Sequence, residues 1–142
     1  MKIHEVMTRG IETVSSGTTL EYAAKKMQTR NIGFLPVVDP VVDSEEVVGV
    51  VTDRDIVTRA VSAGLRPHMT TVRQVMSKNV LSCYDDGSIT DAALIMEKNF
   101  VHRLIVLDRH ERLVGVVSLS DIAAKTNNER LSGHILSKVV AA

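Results

Sequence analysis

The sequence is a tandem duplication. Val6-Met7-Thr8-Arg9 returns as Val75-Met76-Ser77-Lys78, an offset of 69. The same offset pairs Ala23, Ala24 and Met27 with Ala92, Ala93 and Met96, then Leu35, Val37 and Asp39 with Leu104, Val106 and Asp108. Beyond that point the offset falls to 66. Val48-Gly49-Val50-Val51 becomes Val114-Gly115-Val116-Val117, and Asp55-Ile56 becomes Asp121-Ile122. The first copy thus carries three extra residues in the connection at 40–46. Unrelated segments would not hold this register, so the fold must be built from one small unit used twice.

Each copy has the same internal order. A short apolar strand, at residues 11–14 and again at 80–83, leads to a polar turn. A helix follows, with Leu20, Ala23, Ala24 and Met27 at the i, i+3, i+4, i+7 spacing of one buried face. Thr18 or Thr19, and Ser88 in the second copy, supply N-cap hydroxyls. Two β-branched strands come next, 34–39 with 47–52 and 103–108 with 113–118, and the short Arg109-His110-Glu111 connection marks the second pair as a hairpin. A last helix starts at Asp53 or at Leu119. The order is β-α-β-β-α, twice, in a mixed α/β (α+β) class. Gly64 and Pro67 end the first copy's last helix. Residues 1–66 and 67–126 are the two repeats, and 127–142 are expected to form a C-terminal helical extension. A repeat of about 65 residues buries too little apolar surface to be comfortable alone. The two are therefore expected to pack face to face as a pseudo-two-fold pair.

Bulk chemistry narrows the function. Lysine plus arginine balance aspartate plus glutamate at 17 each, and aromatic residues are only 3%. Such a chain has neither a broad field for nucleic acid or anionic membrane nor stacking platforms for single strands. It shows no apolar run of membrane-spanning length and no signal-peptide apolar region, so a cytoplasmic protein without nucleic-acid or membrane partners is expected. The single cysteine, Cys83, lies in an apolar-alternating stretch and reads as a buried, inert thiol. His4, His68, His110 and His134 show no metal-ligand spacing, and no nucleophile elbow, phosphate-binding loop or HExxH segment is present. No catalytic residue, metal site or required cofactor is expected.

The third strand of each copy ends in the same chemistry. The first reads Gly49-Val50-Val51-Thr52-Asp53-Arg54-Asp55 and the second Gly115-Val116-Val117-Ser118-Leu119-Ser120-Asp121. Glycine admits a close neighbour, backbone or ligand. A hydroxyl with a carboxylate three residues on stands at the first turn of a helix, beside free N–H groups. That pair can hold a ribose diol on the carboxylate and a phosphate near the hydroxyl. It can equally be a capping box that satisfies the helix start with no ligand. The two readings are compatible, and duplication does not separate them.

These features together resemble the CBS domain family. The Val-Met-Thr opening, the stretch at 32–39 with its Leu-Pro-Val-Val-Asp core, and the Gly-x-x-Thr/Ser-x-x-Asp ending occur in order, and their counterparts Val-Met-Ser, Leu-Ile-Val-Leu-Asp and Gly-x-x-Ser-x-x-Asp follow in the second copy, from about Ile3 to Ala124. The Thr-Asp-Arg-Asp-Ile-Val segment is similar to that of short stand-alone bacterial CBS-pair proteins of the hypoxic response type. The resemblance implies two CBS repeats joined along their sheets, with clefts between them that take AMP, ADP, ATP or S-adenosylmethionine. It implies that Thr52 with Asp55, and Ser118 with Asp121, contact ribose and phosphate. It also implies that a His-Arg pair at the start of the second strand reaches the phosphates. This chain has His102-Arg103 in the second copy but Gly33-Phe34 in the first, so one of the two sites lacks that charge.

Two further surfaces stand out. Lys25 and Lys26 correspond to Leu94 and Ile95, which makes the second copy's first helix apolar on more than one face. Leu131, Ile135, Leu136 and Val139 could form an apolar stripe on a final helix. Both fit the homodimers of four repeats common in the family. Two functions stay open at this stage. One is an adenine-nucleotide sensor that signals occupancy to an effector protein of unknown identity; the other is a structural dimerisation module with empty clefts.

Overall fold

In the computed structural model of the chain, residues 1–126 are described; the expected extension at 127–142 lies outside them. The elements are α1 (Leu20–Arg30), β1 (Phe34–Val41), β2 (Ser44–Thr52), α2 (Asp53–Asp55), α3 (Val72–Val75), β3 (Ser82–Tyr84), α4 (Ile89–Asn99), β4 (Arg103–Leu107), β5 (Leu113–Ser118) and α5 (Leu119–Thr126). A π-helical turn, Ile56–Val61, continues α2, and Ile3–Glu5 forms a 3-10 turn. The expected caps are in place. The Thr19 hydroxyl accepts from Tyr22 N–H (3.2 Å), and Ser88 Oγ from Asp91 N–H (3.1 Å). Both helices end on a left-handed residue, Asn31 and Phe100, a conformation that closes helices.

The chain divides into two compact units, and these are not the two sequence repeats. One contains Glu12–Val80; the other contains Met1–Ile11 together with the chain from Leu81 on. The opening segment of each repeat has been exchanged. Residues 3–8 complete the unit built on the second repeat, and residues 72–77 complete the unit built on the first. The hydrogen bonds of the exchange are duplicated. Val72 N–H donates to Thr18 O, Arg73 N–H to Ser16 O and Leu20 N–H to Thr70 O; Ile3 N–H donates to Gly87 O, His4 N–H to Asp85 O and Ile89 N–H to Met1 O, all within 2.8–3.2 Å.

Each unit has its own core. In one, Val72, Val75 and Met76 are buried with Leu20, Ala23, Met27, Leu35, Val37 and Val51; in the other, Ile3, Val6 and Met7 are buried with Ile89, Ala92, Met96, Leu104, Val106 and Val117. These are repeat-equivalent positions almost one for one. Ala24 departs from expectation: it is exposed, whereas its counterpart Ala93 is buried.

β1 and β2 form an antiparallel hairpin, as do β4 and β5, and both carry an irregularity at the same place, between Val37 and Val38 and between Val106 and Leu107. Two expectations are corrected. The three extra residues do not make a loop at 40–46; they lengthen the hairpin to a Val41–Ser44 pairing, with Val42 and a left-handed Asp43 at the turn. The strand expected at 11–14 is a single bridge of Val14 to Val37, whereas its counterpart β3 pairs with β4 over Ser82–Tyr84. The cause is local. Ser16 N–H donates to the Asp39 carboxylate (2.8 Å), while its counterpart Asp85 N–H donates to the Leu107 carbonyl and stays on the ladder. Ser16 and Arg73 hold the Asp39 carboxyl below its ordinary range, Ser16 through its hydroxyl and amide first and Arg73 by charge.

The exchanged segment lies on a glycine in each unit. A Cβ on Gly49 would stand 2.7 Å from Ser77 O and 2.8 Å from Met76 Sδ; on Gly115 it would stand 2.7 Å from Thr8 O and 2.9 Å from Met7 Sδ. Backbone bonds seal the contact, Val50 with Ser77 and Val116 with Thr8 in both directions. Gly115→Ala and Gly49→Ala must each displace backbone, so each should destabilise the protein by about 1–3 kcal/mol. Gly17→Ala, whose Cβ would meet nothing within 4 Å, should be close to neutral; urea titrations of the three variants check this.

Candidate functional site

Each last strand delivers its hydroxyl residue in extended conformation to the start of a helix, and each pair closes a reciprocal box. Asp55 N–H donates to Thr52 Oγ1 (3.1 Å) and Thr52 N–H to Asp55 Oδ2 (3.0 Å). In the second copy, Asp121 N–H donates to Ser118 Oγ (3.0 Å) and Ser118 N–H to Asp121 Oδ2 (2.9 Å). Capping is therefore realised in both copies, and it occupies one oxygen of each carboxylate. The Oδ1 of Asp55 faces the Arg59 guanidinium, with Nε at 3.8 Å. The Oδ1 of Asp121 has no partner among the described residues.

The hairpins bring the start of the neighbouring strand to each box. Phe34 pairs with Thr52, and Arg103 pairs with Ser118. The preceding carbonyls accept from the first helical amides: Gly33 O from Asp53 N–H (3.0 Å), His102 O from Leu119 N–H (2.9 Å). Within its own unit, then, the His102-Arg103 pair borders the Ser118–Asp121 box. The first copy has a different corner. Gly33 lies against the Asp53 carboxylate so closely that a Cβ there would be 2.6 Å from Oδ2. A side chain there would have to turn the exposed Asp53 carboxylate aside, and the second copy replaces this pair with a histidine and a buried leucine, Leu119. One corner is acidic, with Asp53 and Asp55; the other sets His102 and Arg103 beside a single carboxylate. Arg54 is exposed in the first turn.

Sequence reasoning missed a second pair of equivalent residues. Arg59 Nη1 donates to the carbonyls of Val75 (3.0 Å) and Met76 (3.3 Å). Lys125, at the matching position, donates to the carbonyls of Val6 (2.9 Å) and Met7 (3.3 Å). Each cation holds the end of the exchanged segment. The signal was present in the 66-residue offset, which maps Arg59 onto Lys125.

Among the described residues, no three His, Cys, Asp or Glu side chains are grouped to hold a metal ion. No helix among them is long and apolar enough to cross a membrane. Cys83 is half-buried on β3, and desolvation pushes its thiol up to about 11.

The paired capping boxes, duplicated hairpins and exchanged openings define a two-repeat α+β module. A CBS domain model matches residues 3–62 and 72–127, and the chain belongs to the CBS domain family. It is similar to the CBS domain-containing protein YhcV of Bacillus subtilis, 34% identical over 137 residues that cover 96% of this chain and 94% of the relative. It is also similar to Hypoxic response protein 1 of Mycobacterium tuberculosis, 34% identical over 119 residues, 84% of this chain and 80% of the relative. A crystal structure of Hypoxic Response Protein I with two coordinated zinc ions matches with a TM-score of 0.75 at 32% identity, covering 87% of this chain and 98% of that one. The CBS domain pair of protein MJ0100, solved in complex with 5′-methylthioadenosine and S-adenosyl-L-methionine, matches with a TM-score of 0.77 at 26% identity, over 91% of this chain and 98% of that one. The family resemblance read from the sequence is thus borne out.

The raised thiol pKa gives a check on Cys83. Thiolate is the reactive form, so alkylation by iodoacetamide in the folded protein should be on the order of a hundredfold slower at pH 8 than for an unfolded thiol of ordinary pKa near 8.5. The rate should rise with pH up to about 11. Mass spectrometry of timed samples measures both.

Proposed function

We propose that the chain is a regulatory module that binds an adenine nucleoside or nucleotide and signals occupancy to a partner protein. The observation that carries this is the form of the two boxes. Each spends one carboxylate oxygen on its own helix start; the other faces only the Arg59 guanidinium at 3.8 Å in the first copy and no described partner in the second, and a ribose diol is a pair of donors suited to it. The likeness to the MJ0100 pair, which was solved with two adenosine derivatives, supports the ligand class. Thr52 with Asp55, and Ser118 with Asp121, are the ribose- and phosphate-contacting pairs in this reading. His102 and Arg103, which border the Ser118–Asp121 box, are the phosphate-binding residues. The first copy has Gly33-Phe34 in their place and lacks this charge. The ligand is AMP, ADP, ATP or S-adenosylmethionine, and the module performs no catalysis of its own.

Ligand at a hundredfold excess over Kd should stabilise the fold by about 2.7 kcal/mol, a melting shift of roughly 5–10 °C for a chain of this size. A flat response across these nucleotides would leave the structural-module reading in its place. Calorimetry then separates the roles. Hydrogen bonds to charged groups contribute about 1.5–3 kcal/mol, so Arg103→Ala should weaken AMP by roughly 10- to 100-fold and leave adenosine nearly unchanged. Asp55→Ala should weaken both, because the ribose is common to them. Equal losses of AMP and adenosine in Arg103→Ala would remove the phosphate assignment.

The module works as a homodimer in this reading, through the first helix of the second copy. Ile95 packs against its own core, whereas Leu94 is 57% exposed on α4. Leu94→Lys, which restores the first copy's residue, should shift sedimentation equilibrium toward monomer while leaving the melting profile of the monomer intact. An unchanged dimer would exclude α4 from the interface.

A further inference from the structure

The Asp55 carboxylate is bound on both sides by its own chain. Oδ2 accepts from Thr52 N–H (3.0 Å), and Oδ1 faces Arg59 Nε (3.8 Å). Arg59 in turn holds the Val75 and Met76 carbonyls, at 3.0 and 3.3 Å, the last groups of α3 before the exchanged segment crosses Gly49. The Arg59 side chain is half exposed and reaches those carbonyls from the π-helical turn. A long cation in water keeps one rotamer only where something fixes it. Here two things do, the Val75 and Met76 carbonyls themselves and, from one turn away, the Asp55 charge. The second copy lacks this link: Lys125 holds Val6 and Met7 in the same way, but Asp121 makes no ion pair with it among the described residues.

We propose that Arg59 is a one-sided switch, through which occupancy of Asp55 loosens residues 75–77. The proposal rests on the ligand reading above. A ribose hydroxyl that donates to Oδ1 takes the oxygen that orients Arg59. The Arg59–Asp55 contact is too long for a hydrogen bond, so it yields readily. Freed of it, the guanidinium spends less time on the Val75 and Met76 carbonyls. The end of α3 and the Ser77–Val50 pairing, bonded in both directions at 2.8 and 2.9 Å, then open more often. No such change reaches Val6 and Met7, because Lys125 is not positioned by Asp121. Coupling of this kind is reciprocal.

Amide hydrogen exchange on the full chain tests this, with adenosine as the probe so that no phosphate competes for Arg59. Saturating adenosine should speed exchange at Met76, Ser77 and Val50 about three- to tenfold and leave Thr8 and Val116 unchanged. Without ligand, Arg59→Gln should show the faster exchange already, on the order of tenfold, with no further response to adenosine. Arg59→Lys copies the second repeat. It should keep the slow exchange of the ligand-free protein and lose the response, while adenosine still binds both variants by calorimetry. An equal adenosine response in wild type and Arg59→Lys overturns the switch and leaves the ligand reading standing, as does wild-type exchange in ligand-free Arg59→Gln. Failure of adenosine and AMP to bind the wild type at all overturns the ligand reading and the switch with it.

Discussion

The structure depends on a backbone contact at two glycines. Ser77 O and Thr8 O each approach within 2.7 Å of the place where Gly49 or Gly115 would carry a Cβ. Only a residue without a side chain allows a second chain segment to lie that close to the middle of a hairpin strand. The segment so admitted brings three apolar side chains into the core, Val72, Val75 and Met76 in one unit and Ile3, Val6 and Met7 in the other. Fully burying side chains of this kind contributes about 1.5–3 kcal/mol each, which is a large share of the stability of a small domain. Each unit draws that share from the other repeat. A single repeat, cut out of the chain, would lose its closing segment as well as its partner. This is a stronger reason for the pair to be the folding unit than size alone.

The exchange also marks the limit of what sequence patterns could say. Helix positions, caps and hairpins follow from local chemistry: the Leu20–Met27 spacing, the Thr19 and Ser88 hydroxyls, the β-branched runs. These are legible because each depends on residues close in the chain. Which copy an opening segment completes is not local. Ile3, Val6 and Met7 are chemically near-equivalent to Val72, Val75 and Met76, so either body could accept either segment. The pattern that exposes the duplication is the same pattern that hides the exchange. The short first strand escaped for a different reason. Ser16 gives its amide to Asp39 instead of to the ladder, a tertiary bond that overrides a run of β-forming residues.

At the candidate site, the residue pairs were legible and their surroundings were not. Thr52 with Asp55 and Ser118 with Asp121 stand as the repeats predicted, each closing a box. The contact of Asp53 with Gly33 depends on a carboxylate turning back onto the residue before β1, twenty residues earlier, and no periodicity carries that. Yet it stands where the copies differ most visibly. A histidine at position 33 would have to share its space with the Asp53 carboxylate, and a histidine does stand at 102, where Leu119 is buried instead. Gly33 stands with Asp53 in one copy, and His102 with Leu119 in the other.

Duplication supplies two equal frames, and the side chains at these corners make them unequal. Net charge cannot reveal this, because the chain is balanced overall. The inequality is created over a few ångströms, where fields are strongest and least screened. An acidic corner with Asp53, Asp55 and Arg59 couples its carboxylate to a cation that grips the exchanged segment. A corner with His102, Arg103 and Asp121 keeps its carboxylate apart from Lys125. The same capping geometry therefore serves two different electrostatic ends, since a box fixes only one carboxylate oxygen and leaves the other to whatever stands four residues on.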